Sequence, residues 1–246
     1  MLLYIYIFLL GTVIGSFLNV LIYRLPRQES IITPPSHCPE CGKYLKARDL
    51  IPILSFLLSR GKCRYCSKAI SWQYPLVELL TGFLFILLYF KYGFNTDSIF
   101  ILFLIMVLVV CSFIDLKYKI IPNKITYPVF FVGLMYSFFF SNNSLLTTLY
   151  NIIIPAGFLF LLALIIKNSM GMGDIKYVAM IGSFLGWVNT MSGIFLGSII
   201  GLIISLVLIL FNVISRESKI PFAPFITVGI IIVLFYGEKL FLFLYF

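Results

Sequence analysis

Ser98-Ile-Phe-Ile-Leu-Phe-Leu-Ile-Met-Val-Leu-Val-Val-Cys-Ser-Phe-Ile-Asp115 is an apolar run with no charge before its closing carboxylate. At about 1.5 Å of rise per helical residue, it reaches nearly across the ~30 Å hydrocarbon core of a bilayer. No alternation of polar and apolar residues supports a half-buried strand there. Working outward, comparable runs predict helices over Leu2–Tyr23, Tyr74–Phe90, Ser98–Asp115, Ile125–Phe140, Thr148–Ile166, Ile175–Trp187, Ser192–Ile214 and Phe222–Tyr236. The stretch from Tyr177 to Ile214 is too long for one span, and Asn189-Thr190 predicts a tight hairpin within it. The composition agrees: 61% of the 246 residues are hydrophobic, 17% aromatic and only 11% charged. Mean hydropathy is +1.09. The expected fold class is an all-α integral membrane protein of about eight transmembrane helices, and a soluble domain, a disordered chain or a disulfide scaffold is excluded.

Charge distribution predicts the orientation. A formal charge of +9 would point to nucleic acid in a soluble protein, but in a membrane protein basic residues mostly report topology. Arg24, Arg27, Lys43, Lys46, Arg48, Arg60, Lys62, Arg64 and Lys68 lie between the first two spans. On alternate connections, Lys117, Lys119, Lys124, Lys167, Lys176, Arg216 and Lys219 join the same side. Only Lys91 and Lys239 fall opposite. The positive-inside rule therefore places the odd-numbered connections in the cytoplasm and both termini outside, with lipid as the partner and no nucleic acid. The first span has no preceding basic residue and no small-residue cleavage site, which predicts a retained helix. The expected organisation is residues 1–24 as a first helix, 25–73 as a cytoplasmic insertion and 74–246 as a polytopic membrane domain.

The insertion holds four of the five cysteines, as Cys38-Pro-Glu-Cys41 and Cys63-Arg-Tyr-Cys66. Two CxxC pairs at this separation predict a zinc-ribbon-like site, closed and structural, with four thiolates around one Zn2+. The alternative of two disulfides is disfavoured in a reducing cytoplasmic loop. Cys111 is read as a small core residue, and His37 as a solvated loop residue beside Cys38.

Nine acidic residues remain for chemistry. Glu29, Glu40, Asp49, Asp97, Glu217 and Glu238 sit where solvated roles suffice. Glu78, Asp115 and Asp174 lie at the edges of apolar spans, where an ionisable group is costly unless paired or functional. Structural alternatives exist: Asp115 could pair with Lys119 at helical spacing, and Asp174, in Gly171-Met-Gly173-Asp174-Ile-Lys176, could be a helix N-cap. Both carboxylates nevertheless fall at one membrane face on separate helices. Two carboxyls so placed can share a proton, one activating water while the other protonates a carbonyl oxygen. The chain carries no P-loop, no HExxH and, with a single histidine, no plausible Ser/His/Asp set.

The residues resemble the type IV prepilin peptidases, the leader peptidase/N-methyltransferase family of membrane aspartic proteases. Gly15-Ser-Phe-Leu-Asn-Val-Leu-Ile-Tyr-Arg24-Leu-Pro26, the two CxxC pairs, Ile51-Pro-Ile-Leu-Ser-Phe, Arg60-Gly-Lys-Cys-Arg64, Tyr74-Pro-Leu-Val-Glu78, Asp115 with Pro122-Asn123, and Gly171-Met-Gly-Asp174 carry the resemblance in order. Gln73 departs from it, because arginine often precedes Tyr-Pro in that family. The resemblance implies a bacterial inner-membrane, multi-pass aspartic endopeptidase with its active site facing the cytoplasm. It implies Asp115 and Asp174 as catalytic residues, Gly171 and Gly173 as motif glycines, and removal of the basic leader from type IV prepilin or pseudopilin precursors. It also implies methylation of the new N-terminus with S-adenosylmethionine, for which Gly61, Lys62, Glu78 and Lys176 are the candidate substrate or methyl-donor residues.

Two other readings compete. A presenilin-like GxGD protease would share Gly171 to Asp174 but would cut inside the bilayer, and Ile114 stands where its partner motif has tyrosine. A transporter or assembly scaffold could use Asp115 and Asp174 as proton or ion sites without hydrolysis.

Overall fold

The computed structural model describes residues 2–141, 143–166, 170–215 and 218–244, with side chains to residue 237. Lys167, Arg216 and Glu217 lie outside the described residues, and Glu238 and Lys239 outside the described side chains. The helices are α1 (Leu2–Arg24), α2 (Leu54–Leu58), α3 (Gln73–Tyr92), α4 (Thr96–Tyr118), α5 (Asn123–Phe139), α6 (Leu145–Ile165), α7 (Met172–Leu210) and α8 (Ala223–Leu244). Five stretches are long and apolar enough to cross a membrane: Leu2–Arg27, α3, α4, α6 and α7. Helix α5 has 17 residues, at the short end of what a span needs, and α8 runs for 22 residues, Ala223–Leu244. The all-helical class with several apolar spans stands, and five candidate spans lie among the described residues.

The chain divides into two compact units, Met1–Ser98 and Ile99–Phe246. In the first, α1 packs antiparallel on α3. Glycines permit the close approach: a Cβ on Gly11 would come within 2.8 Å of the Gly82 Cα, and one on Gly15 within 2.8 Å of the Glu78 Cα. Such small-residue contacts are how helices associate where lipid removes the hydrophobic drive. One turn further, the Asn19 amide donates to the Tyr74 carbonyl at 3.0 Å and locks the register.

Between α1 and α3, the cysteine-bearing segment forms two like knuckles rather than the paired strands of a full zinc ribbon. Isolated β-bridges join His37 to Tyr44 and Lys62 to Ala69. In each knuckle the residue after the second cysteine turns back to bond the first: Gly42 N–H to Cys38 O at 2.9 Å, and Ser67 N–H to Cys63 O at 2.9 Å. That turn needs positive φ, 69° at Gly42 and 60° at Ser67, which glycine adopts without strain.

In the second unit, α7 is too long to be straight. Its 39 residues would extend about 58 Å, twice a bilayer core. Gly186, at φ 78° and ψ 165°, breaks it. Tyr177 Oη lies 2.7 Å from Thr227 Oγ1, while a Cβ on Gly197 would lie 3.0 Å from the Ile226 Cα. The path through those contacts bounds the Tyr177–Gly197 Cα separation at about 20 Å, against about 30 Å in a straight helix. The two arms, 172–185 and 187–210, therefore fold sharply toward each other. The expected turn at Asn189-Thr190 is displaced to Gly186, because only glycine accepts that backbone geometry without cost. Asn189 and Thr190 stay helical and bond back to Leu185 O at 3.0 Å and Gly186 O at 2.7 Å. Asn151 of α6 takes up the freed Trp187 N–H at 3.1 Å.

Candidate active site and metal centre

Asp115 lies in the last turn of α4 and Asp174 in the first turn of α7, and both line one cavity of about 290 Å3. Asp115 is 6% exposed. Its Oδ2 accepts the Ala223 N–H at 3.1 Å, so it caps the start of α8. Asp174 is not the N-cap of α7: Gly171 holds that place, and Asp174, three residues on, accepts the Gly171 N–H on Oδ2 at 3.3 Å. The alternative in which Asp115 pairs with Lys119 is not realised as an ion pair within 4.0 Å. The cause is local: α4 ends at Tyr118, and Lys119 turns to a φ of 56° while bonding Asp115 O at 2.8 Å.

Lys119, Asn123, Gly171, Gly173 and Lys176 share this cavity. The Lys176 ammonium donates to Asn123 Oδ1 at 3.3 Å and sits 5.2 Å from the Tyr127 ring centre, a cation–π contact. Below the cavity, Ser112 of α4, Thr227 of α8 and Tyr177 of α7 form a buried chain, with 2.7 Å between each successive pair of hydroxyls. Ser112 precedes Asp115 by three residues and Tyr177 follows Asp174 by three, so the chain fastens together the helices that carry the two carboxylates. Sequence reasoning passed over these hydroxyls, although polar side chains inside apolar spans were the available signal.

In the first unit, the Cys38, Cys41, Cys63 and Cys66 sulfurs all lie within 4.8 Å of one another. Cys38 and Cys66 are 3.9 Å apart, far beyond a disulfide bond and close to the sulfur separation of about 3.8 Å expected around a tetrahedral ion with 2.3 Å bonds. All four thiols are free, and the set fits a metal ion, with no other group of ligands among the described residues. Backbone N–H groups, Tyr65 first, pull the Cys63 thiol down to about 7. The Cys66 thiol receives the Lys68 N–H yet is pushed up to about 12 by burial and its neighbouring thiols. Such a crowd ionises fully only around a cation. His37 stays outside the cluster, its Nδ1 3.1 Å from Pro35 O.

Asp49, expected in a solvated role, is instead the tie of the second knuckle. Its side chain is 8% exposed and accepts Tyr65 Oη at 2.7 Å and Lys46 N–H at 3.1 Å, with Arg64 Nε 3.4 Å away. Burial alone would raise its carboxyl, but Tyr65, the Lys46 N–H and then Arg64 and Arg48 outweigh that and hold it below the usual range.

Of the four residues expected to handle substrate or methyl donor, Gly61, Lys62 and Glu78 belong to the first unit and Lys176 to the second. Glu78 lines a cavity of about 180 Å3 with Asn19, Arg24 and Phe56. Lys62 lines a smaller one with Asp49 and Arg64. Gly61, at φ 68°, lies against Phe56, where an added Cβ would be 3.1 Å from the ring. Lys176 belongs to the aspartate cavity. Glu78 has no basic partner and accepts the Ile53 N–H at 2.8 Å.

Comparison with known proteins follows the same division. The profile described as the bacterial peptidase A24 N-terminal domain matches residues 9–92. That of the type IV leader peptidase family matches residues 102–206, which include both aspartates. The chain is 32% identical, over 96% of its own length and 92% of the relative's, to a protein of Legionella pneumophila named prepilin leader peptidase/N-methyltransferase. It is 34% identical to a Bacillus subtilis protein of the same name, over 95% and 94% of the two chains. No solved structure matches. Two profiles in order along one chain, with relatives aligned nearly end to end, show that the protein belongs to the type IV leader peptidase family, a family of peptidases.

Proposed function

We propose that the protein is an aspartic endopeptidase that removes the leader of type IV prepilin-like precursors, with Asp115 and Asp174 as its dyad. The observation that carries this is the meeting of two carboxylates, from separate helix ends, in one cavity. Each is held by backbone N–H groups, Asp174 by that of Gly171 and Asp115 by those of Ala223 and Phe222. One aspartate takes a proton from water as the oxygen bonds the scissile carbonyl carbon, and the other delivers its proton to the carbonyl oxygen. The tetrahedral intermediate then collapses, its C–N bond breaks, and a proton passes to the leaving amine. Lys119 and Lys176 orient substrate or lipid headgroups.

The place of these residues at helix ends suits a substrate that is itself a transmembrane segment, cut just before it enters the bilayer. With the basic connections inside, that edge is cytoplasmic, and both termini are external. Exposure of a cysteine placed at Lys46 to an outside reagent would overturn this orientation. In the first unit, zinc held by Cys38, Cys41, Cys63 and Cys66 fixes the cytoplasmic segment without entering the reaction. That unit carries methyl transfer from S-adenosylmethionine to the newly freed amine, the second reaction in its relatives' names. Purified enzyme, a prepilin and S-adenosylmethionine should yield a product whose intact mass reports loss of the leader and gain of one methyl group. An uncut precursor would refute the peptidase assignment, and a cut but unmethylated product would refute the second step.

A further inference from the structure

Asn19, which lines the cavity of about 180 Å3 in the N-terminal unit, carries an unmet acceptor. Asn19 is 2% exposed. Its amide group meets Gly15 O at 3.3 Å and Tyr74 O at 3.0 Å. Carbonyl oxygens only accept, so the nitrogen must face both of them. Asn19 Oδ1 is thereby left buried without a partner, a costly state if nothing fills it.

Three charged side chains line the same cavity, Arg24, Glu78 and Asp49, of which Asp49 is already held by Arg64, Tyr65 and the Lys46 N–H. Arg24, 5% exposed, gives its guanidinium to neutral carbonyls, Ser30 O at 2.9 Å and Pro34 O at 2.7 Å. Glu78, 7% exposed, takes the Ile53 N–H. Among the described residues neither has an oppositely charged side chain within 4.0 Å. A buried cation and a buried anion face one space without meeting, and charges so buried are costly until an opposite charge arrives. One water molecule could satisfy Asn19 Oδ1, but it would neutralise neither charge.

We infer that this cavity binds a small molecule carrying a carboxylate and a cationic amine together, with its carboxylate toward Arg24 and its ammonium toward Glu78 and Asn19 Oδ1. The inference rests on the methyl-transfer reading and names which end of the methyl donor is held: the α-amino-acid end of S-adenosylmethionine has both charges. The amine of a cleaved peptide has only one of them and leaves Arg24 unanswered. Asn19 and Arg24 thereby join Glu78 as donor-binding residues.

The test is calorimetric titration of the purified full-length protein in detergent with three ligands. S-adenosylmethionine and S-adenosylhomocysteine, which keep the amino-acid end, should compete for one site. Methylthioadenosine, which lacks that end, should bind at least tenfold more weakly, a difference of about 1.4 kcal/mol. Glu78→Gln keeps an oxygen for the Ile53 N–H but removes the charge. It should weaken S-adenosylmethionine at least tenfold and leave methylthioadenosine unchanged, with unaltered circular dichroism and elution. If Glu78→Gln does not fold, the comparison of ligands on the wild-type protein decides. Equal affinity for methylthioadenosine and S-adenosylmethionine, or a folded Glu78→Gln that binds the donor normally, overturns the inference while methylation by the wild type persists. A wild-type protein that cleaves prepilin but neither binds the donor nor methylates the product removes the methyl-transfer reading itself.

Discussion

Asp115 has two separable duties, and two substitutions tell them apart. Its Oδ2 caps α8 by accepting the Ala223 N–H, which belongs to a fully buried residue, and the carboxylate also lines the aspartate cavity. Asn at this position can keep the cap, because its amide oxygen will turn to the N–H donor and leave the amide nitrogen toward the cavity. That nitrogen cannot take a proton from water. Asp115→Asn should therefore insert, fold and unfold thermally like the wild type while losing cleavage by at least 10³-fold, as expected when a general acid–base group is removed from a pair that acts as one unit. Asp115→Ala removes the cap as well, and an unpaired buried N–H costs about 1–3 kcal/mol. It should be equally inactive and also less stable by that amount. The assays are release of leader peptide from a prepilin, followed by mass, and thermal unfolding in one detergent. Cleavage by folded Asp115→Asn at more than about a hundredth of the wild-type rate would remove Asp115 from the chemistry. Wild-type stability in Asp115→Ala would show that it does not hold α8.

Cys63→Ser should lose the bound zinc and expose the segment between α1 and α3 to protease, because metal binding and local folding are linked; elemental analysis that finds no zinc in the wild type refutes the metal assignment. Tyr177→Phe removes one hydrogen bond from the Ser112–Thr227–Tyr177 chain and leaves Ser112 bonded to Thr227. It should lower stability by about 1 kcal/mol and cleavage by less than tenfold, and loss of cleavage as complete as in Asp115→Asn would place the Tyr177 hydroxyl in the chemistry. Gly61→Leu is strained at a φ of 68° and drives its side chain into Phe56, which lines the Glu78 cavity. Methylation should fall while cleavage persists, and a variant that loses both together or neither would break the link from Gly61 to that cavity.

The apolar run that ends at Asp115 was readable because composition alone decides whether a helix can enter lipid. The cysteines were readable because two CxxC pairs have few uses in one insertion, and the structure brings their sulfurs together. The turn in α7 was misplaced by a few residues for a physical reason. Asn189 and Thr190 look like turn residues by their propensity in water, but within an apolar helix their side chains satisfy carbonyls one turn back and the helix continues. Gly186 gave no polar signal, yet it alone can adopt the required φ. Asp49 was misread because its partners, Tyr65 and Arg64, belong to a knuckle whose fold no local pattern shows. The Asn19 acceptor was hidden for a deeper reason: whether an amide oxygen is left unpaired depends on which carbonyls surround the nitrogen, and Tyr74 is supplied by another helix.

The two aspartates are held by one device used twice. Each sits where a helix begins, Asp174 within the first turn of α7 and Asp115 against the first residue of α8, and helix starts leave N–H groups that need acceptors. A carboxylate meets that need and gains from the positive end of the helix dipole. It is also fixed in direction, because one oxygen is committed to the backbone. Two carboxylates fixed in this way form no ion pair within 4.0 Å with the lysines that share their cavity, and Lys176 is bonded to Asn123 and lies over the Tyr127 ring. A salt bridge at either aspartate would hold it charged and oppose proton sharing. Two acids that line one cavity, each tied to a helix start, meet what the proposed mechanism requires of two carboxyls that trade one proton across a peptide bond.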